Sequence, residues 1–256
     1  MLFYYTATGN SLYVAKQLDE NPLSIPQLMK QDNLHFEDET IGIVCPVFTG
    51  EMPRMVQEFL AKATFKTDYF YWVSTYGKDD TVHAEFAQEK CAEQGIDLKF
   101  ATSVLMVDNF LPAFNMVEEM AMDKKEEEQI ARVKADIAAR KTGIPQASEQ
   151  GRQLYNHVKS MNANRPPMPE GFSMLKVNGE ACIGCGVCAQ VCMRGVWAVE
   201  DEKAVRLPGK ECEMCLACAH ACPQKAIGMA FPERNPEARF RHPQITLEEI
   251  IAANQQ

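Results

Sequence analysis

The sequence predicts an α/β protein, a doubly wound parallel sheet followed by a small α+β domain held together at its cysteines. Three observations carry that prediction. Short apolar runs alternate with amphipathic helical patterns up to about residue 108, a proline-rich stretch interrupts the chain near residue 165, and eight of the ten cysteines fall within Cys182–Cys222. Strands separated by helices imply βαβ units, whose parallel sheet is covered on both faces.

The elements follow in order. Leu2–Tyr5 reads as a buried strand and Ser11–Asp19 as a helix, with Leu12, Ala15 and Leu18 at helical spacing. Leu23–Leu28 reads as an edge strand, because Pro22 and Pro26 remove ladder donors that a central strand needs. Thr40–Phe48 is a second apolar strand. Pro53 stands where a helix would begin, and Met55, Val56, Phe59 and Leu60 make one face of it. Tyr69–Thr75 is strand-like, Thr81–Glu93 helical and Leu98–Val107 strand-like. Met116–Arg140 reads as one long amphipathic helix with Ile130, Val133 and Ile137 inward, and Gly143–Pro145 ends it. Ala147–Met161 is a further helix. Asn162–Gly171, with three prolines, reads as an extended linker. The expected domains are therefore 1–165, 173–231 and a tail, 232–256. In that tail Thr246 and Glu249 have capping-box spacing, and Arg239–His242 is expected to brace the domains.

Composition excludes several classes. The chain is 46% hydrophobic and 24% charged, ordinary for a globular protein, and its net charge of −9 would repel nucleic-acid phosphates. Its apolar runs are strand-sized, so no membrane span is expected. Met1 leads into Leu-Phe-Tyr-Tyr without a basic leader, which predicts a cytoplasmic protein. A disulfide framework would spread its cysteines over the fold; their clustering points to thiolate–metal bonding in a reducing compartment. Cys45 and Cys91 stand apart and read as small core hydrophobes.

Cys182, Cys185, Cys188 and Cys192 have the spacing C-x2-C-x2-C-x3-C, and Cys212, Cys215, Cys218 and Cys222 repeat it 30 residues on. Gly195-Val-Trp-Ala-Val199 aligns with Lys225-Ala-Ile-Gly-Met229, so the segment is an internal duplication of cluster loop, short helix and strand. Zinc knuckles have no use for a third cysteine so close. A cubane has four iron corners, and three cysteines at intervals of three can reach three of them. The fourth starts a helix and points towards the neighbouring cluster. This predicts two [4Fe–4S] clusters, one on Cys182, Cys185, Cys188 and Cys222, the other on Cys212, Cys215, Cys218 and Cys192. Lys176–Phe231 resembles the bacterial two-cluster ferredoxins; Pro223 follows Cys222 as in that family, whereas Met193 follows Cys192.

Directly after the first strand, Thr6-Ala7-Thr8-Gly9-Asn10-Ser11 opens onto a helix. Helix N-terminal amides form an anion site, hydroxyls add donors, and Gly9 permits close approach. Lysine is absent, so this is not a P-loop, and G-x-G-x-x-G is absent too. The six residues are similar to the flavodoxin phosphate loop. That resemblance implies flavin mononucleotide (FMN), with Thr49, Gly50, Tyr76 and Gly77 flanking its ring, Tyr76 stacking on it, and Val107–Phe110 completing the pocket. Either carboxylate of Lys78-Asp-Asp80, if it faced the ring, would disfavour anionic reduced flavin; alternatively Asp80 caps the next helix.

Together the motifs resemble the fused flavodoxin–ferredoxin proteins, the iron–sulfur flavodoxins of anaerobic bacteria and archaea. The resemblance implies a flavodoxin-like domain followed by a ferredoxin-like one, and a protein that passes electrons between FMN and two clusters. The cofactors supply the chemistry and the protein supplies binding and tuning. Its partner would be another redox protein. Two other readings stand beside it: a flavin-dependent reductase of a small substrate fed by the clusters, and a redox-sensing module. No Ser-His-Asp, paired-carboxylate or zinc-hydrolase pattern is visible, so no residue is designated catalytic. His83, His157 and His220 read as structural or exposed.

Overall fold

The computed structural model describes residues 1–164 and 173–255; residues 165–171 of the expected linker lie outside them. The chain forms two compact units. The first holds residues 1–5, 11–106 and the described part of 124–167; the second holds 6–10, 107–123 and the described part of 168–256. Segments 6–10 and 107–123, which sequence order assigns to the first domain, therefore group with the cysteine-rich one.

In chain order the first elements are β1 (Leu2–Tyr4), α1 (Asn10–Leu18), β2 (Leu23–Ser24), α2 (Ile25–Leu28), β3 (His35–Glu37), β4 (Thr40–Pro46), α3 (Arg54–Lys62), β5 (Thr64–Lys66), β6 (Tyr69–Tyr76), α4 (His83–Glu93) and β7 (Leu98–Leu105). Within the first unit the main sheet has the order β2-β1-β4-β6-β7, and every pairing is parallel. Counted along the sheet, this is the flavodoxin-like arrangement, in which the order of strand addition reverses between β1 and β4. The central strands are buried on both faces, as the continuous apolar runs require. Helix α3 follows Pro53, whose φ of −53° suits a helix start, and it buries Met55, Val56, Phe59 and Leu60.

Two expectations need correction. Only Leu23–Ser24 of the edge strand is extended. Ser24 Oγ then accepts from the Gln27 N–H at 3.4 Å and Pro26 sits in the first turn, so Ile25–Leu28 becomes a single helical turn. The long helix over 116–140 is two: α5 (Met116–Ala121) in the second unit and α6 (Glu126–Ala138) in the first. Asn115 caps α5, while Lys125 at φ 55° is left-handed and starts α6 ahead of three glutamates that suit a helix N-terminus. Ile130 and Val133 of α6 are buried. A helix α7 (Glu149–Ala163) completes the first unit.

A second parallel pair, β3 with β5, is absent from the sequence reading. Phe36 and Phe65 face each other from it and join Phe3, Phe59 and Phe70, with ring centroids 4.6–5.9 Å apart. Edge-to-face contacts of this kind add roughly 0.5–1.5 kcal/mol beyond area burial.

The second unit contains β8 (Leu175–Val177), α8 (Val187–Gln190), β9 (Trp197–Glu200), β10 (Lys203–Arg206), α9 (Ala217–Ala221), β11 (Ile227–Met229) and α10 (Leu247–Asn254). β8 pairs antiparallel with β11, and β9 with β10 through a tight turn whose residues Asp201 and Glu202 both have positive φ. The tail's capping box forms as expected, Thr246 and Glu249 each satisfying the other's amide. Among the described residues no helix is long and apolar enough to cross a membrane.

Candidate metal centres and phosphate loop

The duplication is visible in the backbone. Gly184, Gly186 and Gly195 have φ of 66°, 77° and 57°, and the residues 30 positions on, Met214, Leu216 and Lys225, have 56°, 60° and 51°. That conformation costs a residue with a Cβ roughly 1–2 kcal/mol. Its retention without glycine shows that the loop's shape governs these positions, over local preference. Amide donors repeat as well. Val196 N–H donates to Cys192 Sγ at 3.4 Å and Ala226 N–H to Cys222 Sγ at 3.2 Å. Met214 N–H donates to Cys212 Sγ at 3.3 Å, and Gly184 N–H bears on Cys182 in the same way.

These loops enclose two chambers. Cys182, Cys185, Cys188 and Cys222 line the first, about 330 Å³ with its open mouth. Cys212, Cys215, Cys218 and Cys192 line the second, about 290 Å³, likewise with its open mouth. Each run's fourth cysteine thus stands with the other run's three. Among the described residues no three metal-ligating side chains converge on a single ion; the thiols surround a space instead. Burial pushes the Cys188 thiol up to about 11 and raises Cys212, Cys215 and Cys218 too. Thiols so enclosed become thiolates beside a cation. Cys182 is lowered, by the amides of Ala204 and Gly184. Four thiols, amide donors aimed at sulfur and apolar walls fit an iron–sulfur cluster.

The linings correspond almost position by position, yet differ in kind. In the first chamber Ile183, Gln224 and Ile227 stand where the second has Glu213, Arg194 and Trp197. Arg194 Nε donates to Glu213 Oε1 at 2.7 Å, and Glu213 is buried. The first chamber has its own addition: Ala204 N–H donates to Cys182 Sγ at 3.3 Å, and Lys203 Nζ to Cys182 O at 2.7 Å.

The phosphate-loop residues Thr6–Asn10 also belong to the second unit. Thr6 Oγ1 accepts from Gly9 N–H at 3.2 Å and Thr8 Oγ1 from Asn109 Nδ2 at 2.6 Å, which leaves each hydroxyl its own proton to donate. The carbonyls are tied down, Thr8 O by His242 N–H at 2.9 Å and Thr6 O by Asn254 Nδ2 at 3.0 Å. Gly9 has φ 105°, and a Cβ there would lie 2.9 Å from that of His242. Asn10 Nδ2 donates to Val107 O at 3.0 Å, while its buried Oδ1 has no hydrogen-bond partner among the described residues. Hydroxyl donors at a helix N-terminus, with a buried acceptor beside them, fit a phosphate monoester that carries a hydroxylated chain. Val107 and Asn109 come from the segment expected to complete the pocket.

His220 joins the same unit. Its Nδ1 accepts from Phe240 N–H at 3.0 Å, so Nε2 carries the proton and donates to Asn109 O at 2.8 Å. Burial holds its pKa down to about 4. Arg239–His242 is a brace, but inside the second unit: Arg239 Nε donates to Ala219 O at 3.0 Å and pairs with Glu233.

The remaining predicted residues lie in the first unit, at the carboxyl ends of its strands. Ser11 Oγ and Thr75 Oγ1 share a hydrogen bond of 2.8 Å, just ahead of Tyr76 and Gly77. Thr49 and Gly50, at φ 58° and 87°, form a tight turn closed by reciprocal bonds between Phe48 and Glu51. Positive φ at a β-branched residue is an outlier of the kind that concentrates at ligand sites. Tyr155 of α7, which the sequence does not single out, donates from its hydroxyl to Glu51 Oε1 at 2.7 Å. Tyr76 is half-buried; burial, then Asp80 and Asp79, raise its pKa. Asp80 is engaged within the unit. Its carboxylate lies 3.4 Å from His83 Nε2 and accepts from Ser103 Oγ at 2.8 Å, and both partners lower its pKa. His83 is buried and meets Ser74 Oγ at 2.9 Å, a structural role. Cys45 and Cys91 are buried, as expected.

No family model matches the chain. Among solved structures it is similar to the metal-soaked flavodiiron core of Synechocystis sp. PCC6803, at 14% identity and a TM-score of 0.28 over 53% of this chain. It spans only 36% of that structure's chain, and a likeness of this degree transfers no activity. Among curated proteins, 54 residues are 39% identical to an uncharacterized ferredoxin of Methanocaldococcus jannaschii. They make up 20% of this chain and 70% of that relative. Through that shared stretch, the chain belongs to the ferredoxin family.

Proposed function

We propose that the protein is an electron carrier that holds two [4Fe–4S] clusters in its cysteine chambers and FMN at the flavodoxin-like loops. The observation that carries the reading is the pair of equivalent chambers, each lined by three cysteines of one run and the fourth of the other. Flavin exchanges one or two electrons and each cluster exchanges one, so their combination links two-electron to one-electron chemistry. The chain's own part is to hold and tune them. The amides of Val196, Met214 and Ala226 aim at cysteine sulfur. Thr6, Thr8 and Ser11 would meet the phosphate, and Thr49–Gly50 and Tyr76–Gly77 the ring. Asp80 is engaged by His83 and Ser103, which favour its ionised form, and its charge is felt at Tyr76. The exchange partner is then another redox protein.

Anaerobic purification followed by analysis tests this. About eight irons, about eight sulfides and about one FMN per chain are expected, with all three centres responding in a stepwise redox titration. Zinc in place of iron would sink the cluster reading. Full iron without flavin would remove the FMN half and leave a ferredoxin on an α/β scaffold.

A further inference from the structure

The duplication supplies its own control for one residue. Trp197 and Ile227 occupy equivalent places, each at the head of a strand that follows a cysteine helix, and each lines its chamber. Ile227 brings only hydrocarbon. Trp197 is buried, and its Nε1 is a buried donor that reaches no oxygen or nitrogen acceptor among the described residues. An unsatisfied buried donor costs roughly 1–3 kcal/mol, so an orphan that persists in a packed site points to a group it serves. Four thiols line the chamber that Trp197 helps to wall. Cys218 is among them, and the indole stands beside it.

We propose that the Trp197 indole N–H is a hydrogen-bond donor to cluster sulfur in the second chamber, and that it raises the reduction potential of that cluster alone. The proposal rests on the chambers being cluster sites. Reduction adds one electron, whose charge spreads over the cubane and its thiolates; a donor to sulfur stabilises that extra charge, so the potential rises. The amides matched between the chambers, Val196 with Ala226 and Met214 with Gly184, act on both clusters alike. Ala204 acts on the first alone, through Cys182. Trp197 is the second chamber's counterpart to it, supplied by a side chain. A fixed difference between the two potentials would give electron flow through the pair a direction.

The test uses the holoprotein. Trp197→Phe keeps an aromatic wall and removes the donor, and EPR-monitored titration reads both clusters. One cluster is expected to shift towards oxidised at fixed potential by about tenfold, ~59 mV for a one-electron couple, while the other stays put. Pulsed EPR on reduced wild-type protein labelled with 15N-tryptophan gives a readout that does not depend on the variant. The chain has two tryptophans, and Trp72 is buried in the first unit's sheet, where its Nε1 donates to Ser74 Oγ. A 15N coupling to one cluster is expected, and it must vanish in Trp197→Phe wherever that variant holds the cluster. Two clusters in the wild type, without 15N coupling and with potentials unmoved by the substitution, would overturn the role of Trp197 and leave the chambers standing. A wild type without two clusters would overturn both readings.

Discussion

The first and second chambers present their cysteines on the same left-handed turns and receive matching amide donors, yet the residues between the cysteines share little. Ile183, in the first, is 60% exposed; its equivalent Glu213 is buried against Arg194. Gly186 corresponds to Leu216, Gln224 to Arg194 and Ile227 to Trp197. Presenting four sulfurs to one object constrains the backbone tightly, so tightly that Met214 and Leu216 keep a conformation glycine would adopt more easily. The walls are not held to the same standard. They can change polarity, and with it the environment of whatever they enclose. What the two chambers have in common is therefore the part that ligation demands, and what separates them is the part available for tuning.

The largest effect should come from breaking the crossing. Cys188→Ser and Cys222→Ser, 34 residues apart, are expected to damage the same cluster, because both thiols line the first chamber. Cys192→Ser should damage the other. Iron would fall by about half in each variant, as expected when one of two cubanes is lost. The EPR spectrum of the surviving cluster should be identical in the first two variants and different in the third. If Cys188→Ser and Cys222→Ser leave different survivors, each run serves its own cluster and the chambers have been paired wrongly.

How much of this could be read beforehand differs along the chain. β1, β4, β6 and the face Met55, Val56, Phe59, Leu60 are long or periodic enough to be read from spacing alone. The cysteine runs are more legible still, since ligation fixes their intervals. β3 and β5 are three residues each, partly exposed, and exist only because they pair with each other across 29 positions. The break between α5 and α6 interrupts a helical pattern that continues through it. There Gln129 reaches back to Lys124 O at 2.7 Å and across to the Leu105 amide at 2.9 Å, contacts no periodicity announces. Asn109 meets Thr8 over 101 positions. The ion pair of Arg194 and Glu213 has no signature either. Laying one half of the duplication over the other does pick it out, because two charged residues appear where the first half has Gln224 and Ile183.

Arg194→Gln would leave Glu213 buried without its cation, a loss that costs about 3–5 kcal/mol in buried pairs. The double variant Arg194→Gln, Glu213→Ile copies the first chamber and leaves no buried charge, so most of that loss should be recovered. The measurement is the rate at which each holoprotein loses cluster absorbance in denaturant. The single variant is expected to be fastest, with the double close to wild type. Equal rates for single and double would mean that the pair itself, and not the stranded carboxylate, holds the second chamber together.

The smallest effect separates the loops by what packs on them. Gly184 and Met214 share a left-handed conformation, but a Cβ at Gly184 would lie 2.4 Å from the carbonyl oxygen of Glu202, in the β9–β10 turn. That turn follows the first half only; 30 residues on, the chain has passed β11 and entered the tail. Gly184→Ala therefore meets two penalties: roughly 1–2 kcal/mol for the conformation, and a displaced hairpin whose Ala204 amide donates to Cys182 Sγ. Met214→Ala changes neither the conformation nor a backbone contact, because the Cβ is already present. Cluster loss in denaturant should accelerate in Gly184→Ala and be confined to the first cluster, with Met214→Ala near wild type in both. Equal sensitivity at the two positions would show that the loops are held by the cluster alone, and that the hairpin over the first chamber does not support it.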